Sequence, residues 1–368
     1  LEMFSQYLLK DGVKNTSIIK VNFENLDFAD IDTAQKLNEY VKKNKAKRGK
    51  TYVLLDEIQL INEWERAVNS LRLDRNLDIY ITGSNTYMLN SKLAALLSGR
   101  YVELKMLPLS FAEFIDFCGA GKKADKNALF ERYLGQGGFP GLFAIKDDEI
   151  TRRDYLSGIY STIVIKDIIR MNQVRDIDIM EKIISFLADN IGYIVSAKKI
   201  ADYVTSTGRK TSSETADNYI RMLENAYLFY RAKRTDIKGK HLLKTNDKFF
   251  VADLGLRNFL KGKKTDYGST LENVVYFELL RKGYEVSIGK LNSLEVDFVA
   301  HNNEGTVYLQ VCASLTSPDV RERELLPLRK INDNYPKMIL SMDPSTPFND
   351  IDGIKTYNII DFLLGKTK

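Results

Sequence analysis

The chain is short of the residues that build covalent and metal-based scaffolds. It has two cysteines, Cys118 and Cys312, in 368 residues. That number gives no disulfide framework and points to a reducing compartment, here expected to be the cytoplasm. It has two histidines, His241 and His301, too few for a histidine-based zinc site and a poor start for a serine-hydrolase triad. No apolar run approaches the ~18 residues that a membrane span needs, so no membrane partner is expected. The opening stretch, LEMFSQYLLKDG, reads as a short amphipathic helix and not as a signal peptide. Charge of one sign is not in excess: the net is +5, too small at this length to name a partner. What remains is 44% hydrophobic and 28% charged residues, a globular composition long enough for more than one domain.

The most informative stretch is TYVLLDE, residues 51–57. Four apolar or aromatic residues, Tyr52 to Leu55, run into Asp56 and Glu57. Such a run reads as a strand buried on both faces of a parallel sheet. Ligands of these sheets bind beyond the carboxyl ends of the strands. There an aspartate can hold the water shell of Mg²⁺ on a nucleotide phosphate, and the next glutamate can orient the hydrolytic water. For the acid pair alone, the alternative is a strand that ends in a solvated turn.

Around this strand the pattern alternates. Residues 1–9 carry Leu1, Phe4, Leu8 and Leu9 at helical spacing, 17–23 read as a strand, and 32–43 as a helix. The basic run KKNKAKRGK, 42–50, reads as a solvated loop. Residues 58–73 supply a helix and 77–83 a buried strand that ends in Ser84 and Asn85. Residues 89–97 supply another helix, and Arg100 opens the strand RYVELKML. Alternation of this kind is the signature of a doubly wound α/β sheet. It sets Asp56 with Glu57, Ser84 with Asn85, and Arg100 at one sheet edge. A polar side chain there can sense the γ-phosphate, and an arginine can neutralise transition-state charge.

Further along, DEIQ, ITGSN, SGRYVEL, MLPLSFAEF, YLGQGGFPG, IVIKDI, LENAYLFY, VADLGLRNFL, LENVVYFELLRKGYEV and LEVDFVA follow one another. The ordered series resembles a large family of bacterial and archaeal AAA-like P-loop ATPases over essentially the whole chain. The resemblance implies an ATPase core over 1–110 with Asp56 and Glu57 as its Walker B acids. It also implies a helical lid over 111–175, with ATP and Mg²⁺ as cofactors. The family's glycine-rich phosphate loop, GxxxxGK[ST], has no match. GAGKK at 119–123 comes nearest and lacks a preceding strand. The chain reads as though it starts just after that loop. More residues are therefore expected upstream, with an interior strand whose loss would orphan ladder groups on two neighbours. Without that loop the chain should bind ATP poorly.

Residues 176–252 read as three helices, 178–190, 196–204 and 211–225, then strands at 228–234 and 244–251. Thr211 and Glu214 have capping-box spacing. Three helices and a hairpin make a winged helix. Arg231, Lys233, Arg234, Lys238, Lys240, Lys244 and Lys248 crowd the hairpin, a patch suited to the phosphates of double-stranded DNA. Against this, Glu214, Asp217 and Glu224 on the third helix would repel DNA.

Residues 253–368 run helix, three strands, helix, strand over 271–340, an order that resembles the PD-(D/E)xK nuclease fold. Glu272 on the helix and Glu295 with Asp297 on one strand are the carboxylates of such a site, the latter two facing the same side. The third position reads Gln310-Val311-Cys312. A neutral amide replaces an anionic ligand and no lysine follows, so the site reads as degenerate, able to collect metal only weakly.

The expected function is a Mg²⁺-dependent ATPase switch. Asp56 would hold the ion's water shell, Glu57 polarise water, Ser84 or Asn85 sense the γ-phosphate, and Arg100 act as a finger. Action of Arg100 in trans would require a homo-oligomer. A metal-dependent DNA nuclease with an accessory ATPase, and a non-enzymatic nucleotide-binding scaffold, are the alternatives.

Overall fold

The computed structural model describes the chain except for residues 84–96, 98, 122, 171–173, 175, 240, 244–245, 263–265, 345–349 and 368. Of 165–167 and 170 it describes the backbone alone. The chain divides into two compact units, Leu1–Lys105 and Met106–Lys368. Among the described residues no helix is long and apolar enough to cross a membrane.

In the first unit, α1 (Glu2–Lys10) precedes β1 (Ile18–Asn22), α2 (Ala34–Asn44) precedes β2 (Thr51–Asp56), and α3 (Trp64–Leu71) precedes β3 (Leu77–Ile81). The strands form a parallel sheet in the order β1-β2-β3. Val53 stands opposite Ile19 on one side and Ile79 on the other. Val53, Leu54 and Leu55 are fully buried, since β2 has a neighbour at each edge and cover on each face. Val53 and Leu55 join Leu37 and Val41 of α2 and Trp64, Val68 and Leu71 of α3 in one core. Leu54 points to the other face. On that face its partner Tyr80 packs against Phe4 of α1, ring centroids 4.6 Å apart. Each such aliphatic side chain stabilises the layer by about 1.5–3 kcal/mol. This is the α/β parallel sheet the alternation predicts.

The strand expected from Arg100 onward is not formed. Residues 101–107 carry no regular secondary structure, and Tyr101, Val102, Leu104 and Met106 are exposed. A strand exists only where a neighbour takes up its ladder groups, and no described strand pairs with this segment.

In the second unit, α4 (Phe111–Phe117), α5 (Lys126–Gln136) and α6 (Glu149–Ser161) come first, and a π-helix over Thr162–Arg170 extends α6. Next come α7 (Ile177–Asp189), β4 (Ile194–Val195), α8 (Ala197–Ser206) and α9 (Ser213–Asn225). Strands β5 (Phe229–Ala232), β6 (Arg234–Asp236), β7 (His241–Leu242) and β8 (Asp247–Val251) lead to α10 (Leu254–Lys261) and α11 (Tyr267–Arg281). The chain ends with β9 (Glu285–Leu291), β10 (Leu294–Asn302), β11 (Gly305–Val311), α12 (Pro318–Arg329), β12 (Lys337–Ser341), β13 (Asp350–Ile351), β14 (Ile354–Asn358) and α13 (Ile359–Leu363).

Helix α9 begins one residue later than its spacing suggests. Ser212, not Thr211, caps it, accepting from the Thr215 N–H at 3.1 Å. The Thr211 hydroxyl is already committed to the Arg209 carbonyl at 3.0 Å.

Strands β4, β8 and β5 form one antiparallel sheet with β8 in the middle. The expected hairpin is there, Phe229 opposite Val251, but its connector does not project freely. Within it, β6 runs parallel to β9, Thr235 opposite Gly289, and so extends the eight-stranded sheet β13-β14-β12-β11-β10-β9-β6-β7. Gly289 permits this approach: a Cβ there would lie 2.8 Å from Ile237 and 2.9 Å from Val296. Between Val296 and Val299 the β9–β10 register slips by one residue, a β-bulge spanning Asp297 and Phe298. One core binds the two sheets. Phe250 of β8 stacks on Tyr276 of α11 at 4.2 Å and lies 5.8 Å from Phe298 of β10.

Candidate functional site

The parallel register of β2 and β3 pairs Leu55 with Ile81, which brings Asp56 level with Thr82. The Thr82 hydroxyl donates to Asp56 Oδ1 and accepts the Glu57 N–H at 3.3 Å. The Thr82 backbone adds two bonds, from its N–H to Leu55 at 2.9 Å and from Ile58 to its carbonyl at 3.2 Å. Glu57 sits in the left-handed region, φ 55° and ψ 45°. That backbone costs a non-glycine residue about 1–2 kcal/mol. It is held by Thr82 on one side and by Ile58, fully buried, on the other. The turn leaves both carboxylates half-buried at the end of the central strand. Gln59 Nε2 donates to Glu57 Oε2.

Thr82 was not among the residues expected here. A threonine one step past an apolar run looks like ordinary turn chemistry, and only its pairing with β2 gives it a partner. Ser84 and Asn85 lie outside the described residues. Arg100 is exposed, its N–H bonded to the Leu97 carbonyl at 3.0 Å. A carboxylate and a hydroxyl at a strand's carboxyl end are hard oxygen donors, which suits Mg²⁺. Among the described residues no three His, Cys, Asp or Glu side chains gather to hold a metal ion. One carboxylate beside one hydroxyl is a donor set that fits an ion held through its water shell.

The second cluster lies in the C-terminal unit. Glu272 of α11 and Glu295 and Asp297 of β10 do converge, but around Lys248 of β8. Lys248 Nζ lies 2.8 Å from Glu272, 2.9 Å from Glu295 and 3.7 Å from Asp297. The lysine is 2% exposed. Burial opposes its charge, but Glu272, Asp297 and Glu295 outweigh that and raise its pKa above the ordinary lysine value. Burial, with Asp297 adding to it, pushes Glu272 up to about 8. Burial likewise pushes Asp297 up to about 6. Gln310 takes no part in this ring. Its Oε1 accepts the Asp297 N–H at 2.7 Å and its Nε2 donates to Glu324 at 3.0 Å.

The basic hairpin is divided. Arg231 does not belong to a surface patch: it pairs with Glu224 at 2.8 Å, Asp217 at 3.3 Å and Asp247 at 3.6 Å. It also lies over the Phe249 ring at 5.3 Å. Two of the three acids that spoke against DNA on α9, Asp217 and Glu224, are its partners. Lys248 is buried, Arg234 half-buried, Lys233 and Lys238 are exposed, and Lys240 and Lys244 lie outside the described residues.

Two stretches of the motif series prove to be partners in packing. Asp253, from VADLGLRNFL, caps α10 by accepting the Leu256 N–H at 2.9 Å and reaches across to the Gly138 N–H of YLGQGGFPG at 2.6 Å. Asn258 donates to the carbonyls of Leu134 and Gly135, both at 3.0 Å. A Cβ on Gly255 would lie 2.0 Å from the Gln136 carbonyl, so only glycine allows the approach. Burial pushes Asp253 up to about 6. These glycines bolt α5 to α10, so in this unit their part is structural.

Residues 2–115 match the AAA domain family (AAA_14), and residues 127–267 match a domain of unknown function, DUF8612. A Haemophilus influenzae protein described as uncharacterized is 40% identical over 369 residues, 99% of this chain and 90% of that protein. The uncharacterized protein MJ1544 of Methanocaldococcus jannaschii is 29% identical over 322 residues, 83% of this chain and 70% of that one. Among solved structures, the Walker-type ATPase PABY2304 of Pyrococcus abyssi is 15% identical. That match covers 70% of this chain and 75% of that chain, with a TM-score of 0.41.

Proposed function

We infer, from the premise that the chain belongs to the AAA-domain family, that it is a Mg²⁺-dependent ATPase serving as a nucleotide-controlled switch. The observation that carries this reading is the turn after β2. It holds two adjacent carboxylates at the mouth of a buried parallel strand, one of them in a costly backbone conformation that Thr82 braces. Strain kept at a strand terminus suits a residue that must aim its side chain.

In this reading Asp56 holds the water shell of the ion, and the Thr82 hydroxyl fixes the rotamer of Asp56. Glu57 orients and polarises the attacking water. Ser84 or Asn85 senses the γ-phosphate, and Arg100 neutralises charge, in trans if the protein assembles as a homo-oligomer. The ion's own contribution is to neutralise phosphate charge. The output is assigned to the C-terminal unit. There α7, α8 and α9 with the β4-β8-β5 sheet have the make-up of a winged helix. Double-stranded DNA is the partner this reading favours, contacted through exposed basic residues such as Lys233 and Lys238.

The test is phosphate release from ATP by the full-length protein, with and without duplex DNA. Turnover that Glu57→Gln abolishes supports the ATPase, and stimulation by DNA supports the output. Nucleotide binding with no turnover would leave the scaffold reading in its place.

A further inference from the structure

We propose that Lys248 is the resident cation of the carboxylate cluster formed by Glu272, Glu295 and Asp297. Its ammonium makes the nuclease-like layer a charged joint to the β4-β8-β5 sheet and closes that layer to divalent metal.

Four features of the geometry carry this. Lys248 is not a flexible surface side chain that has swung in. It sits mid-strand on β8, paired with Ile194 of β4 on one edge and Ala232 of β5 on the other. Its backbone is fixed between two neighbouring strands, and from there its side chain reaches the carboxylates. The distances of 2.8 and 2.9 Å to Glu272 and Glu295 are those of charge-assisted hydrogen bonds. A Mg²⁺ or Ca²⁺ ion would need the same oxygens at about 2.0–2.6 Å. An ammonium at 2% exposure already stands there and repels a second cation at short range. Asp297 is also tied to β11. Its Oδ2 accepts the Val311 N–H at 2.9 Å, and its own N–H is held by Gln310. The bulge in β10 aims this residue at β8. Finally, Gly192 brings the segment before β4 onto the same helix. A Cβ on it would lie 3.1 Å from Ser269 and 3.4 Å from Glu272. The joint is closed from the sheet side as well.

β11 itself carries no lysine. A lysine from another sheet fills the cluster, and what it supplies is a tie between layers. Such a pair is costly to break from one side only, since removal of one partner leaves buried charge uncompensated. This inference does not depend on the ATPase reading, which rests on the other unit.

The experiment is thermal unfolding of the full chain in nucleotide-free buffer, with chelator or with saturating Mn²⁺. Wild-type protein should unfold at the same temperature in both. Lys248→Met should unfold earlier in chelator and regain about 5 °C or more when Mn²⁺ stands a hundredfold above its Kd. If Lys248→Met does not fold, Lys248→Met combined with Glu272→Leu removes one charge of each sign and should recover most of the wild-type midpoint. The wild-type protein alone can overturn the proposal. Saturable stabilisation by Mn²⁺ that Asp297→Asn removes would show that metal, not lysine, is the native occupant. An unchanged midpoint in Lys248→Met with no response to Mn²⁺ would show that the ammonium ties nothing.

Discussion

Replacing Arg231 by alanine separates two accounts of the basic hairpin. In one, the residue faces DNA. In the structure it is gripped by Glu224, Asp217 and Asp247 and backed by Phe249. Removing the guanidinium leaves three acids facing one another in a half-buried site, and breaking a buried pair from one side costs about 3–5 kcal/mol. The arginine side chain keeps 19% exposure, so water can offset part of the loss. The lower end, about 3 kcal/mol, is expected. For a unit of this size that is a fall in Tm of about 6–12 °C. Sign and pH dependence follow from the acids. Burial already raises the pKa of Glu224 and Asp247, and loss of the arginine raises both further. A folded-state pKa above the unfolded value makes protonation stabilising, so the deficit should shrink as pH falls toward about 4. The assay is calorimetry across pH, beside duplex-DNA affinity measured on the folded fraction. A variant with unchanged Tm and weakened DNA binding would refute the reasoning.

Two further substitutions probe the other sites. Thr82→Val keeps the side-chain shape but removes the donor to Asp56 and the acceptor for the Glu57 N–H. The first unit should lose about 1–2 kcal/mol in urea unfolding, and ATP turnover should fall more than nucleotide affinity; equal loss of both would mean Thr82 only supports the fold. Asp253→Ala should destabilise the second unit by about 2–4 kcal/mol, from the lost helix cap and the orphaned Gly138 N–H. Asp253→Asn, which can still cap, should lose less, and equal losses in urea unfolding would count against the bolt.

Much of the fold could be read from local pattern. TYVLLDE declared β2 because the central strand of a covered sheet is apolar on both faces. The helix–strand order over 271–340 was also legible in the sequence. What could not be read was pairing. RYVELKML has a strand's composition, yet a strand needs a partner. Thr82 became part of the site only through its register with β2. Arg231 and Lys248 carry the same charge as Lys233 and Lys238, and composition grouped all four into one patch. Their partners, on α9, α11, β8 and β10, reach them only through tertiary structure, which turns two of the four inward. For the same reason a glycine-rich stretch that belonged to a motif series proved to be a packing contact with Asp253.

The central claim is that Asp56 and Glu57 form the working edge of an ATPase, and steady-state phosphate release by the full-length protein in Mg²⁺ tests it most directly. Turnover in the wild type that Glu57→Gln abolishes while nucleotide still binds is the predicted result. Turnover that survives Glu57→Gln undiminished would contradict it.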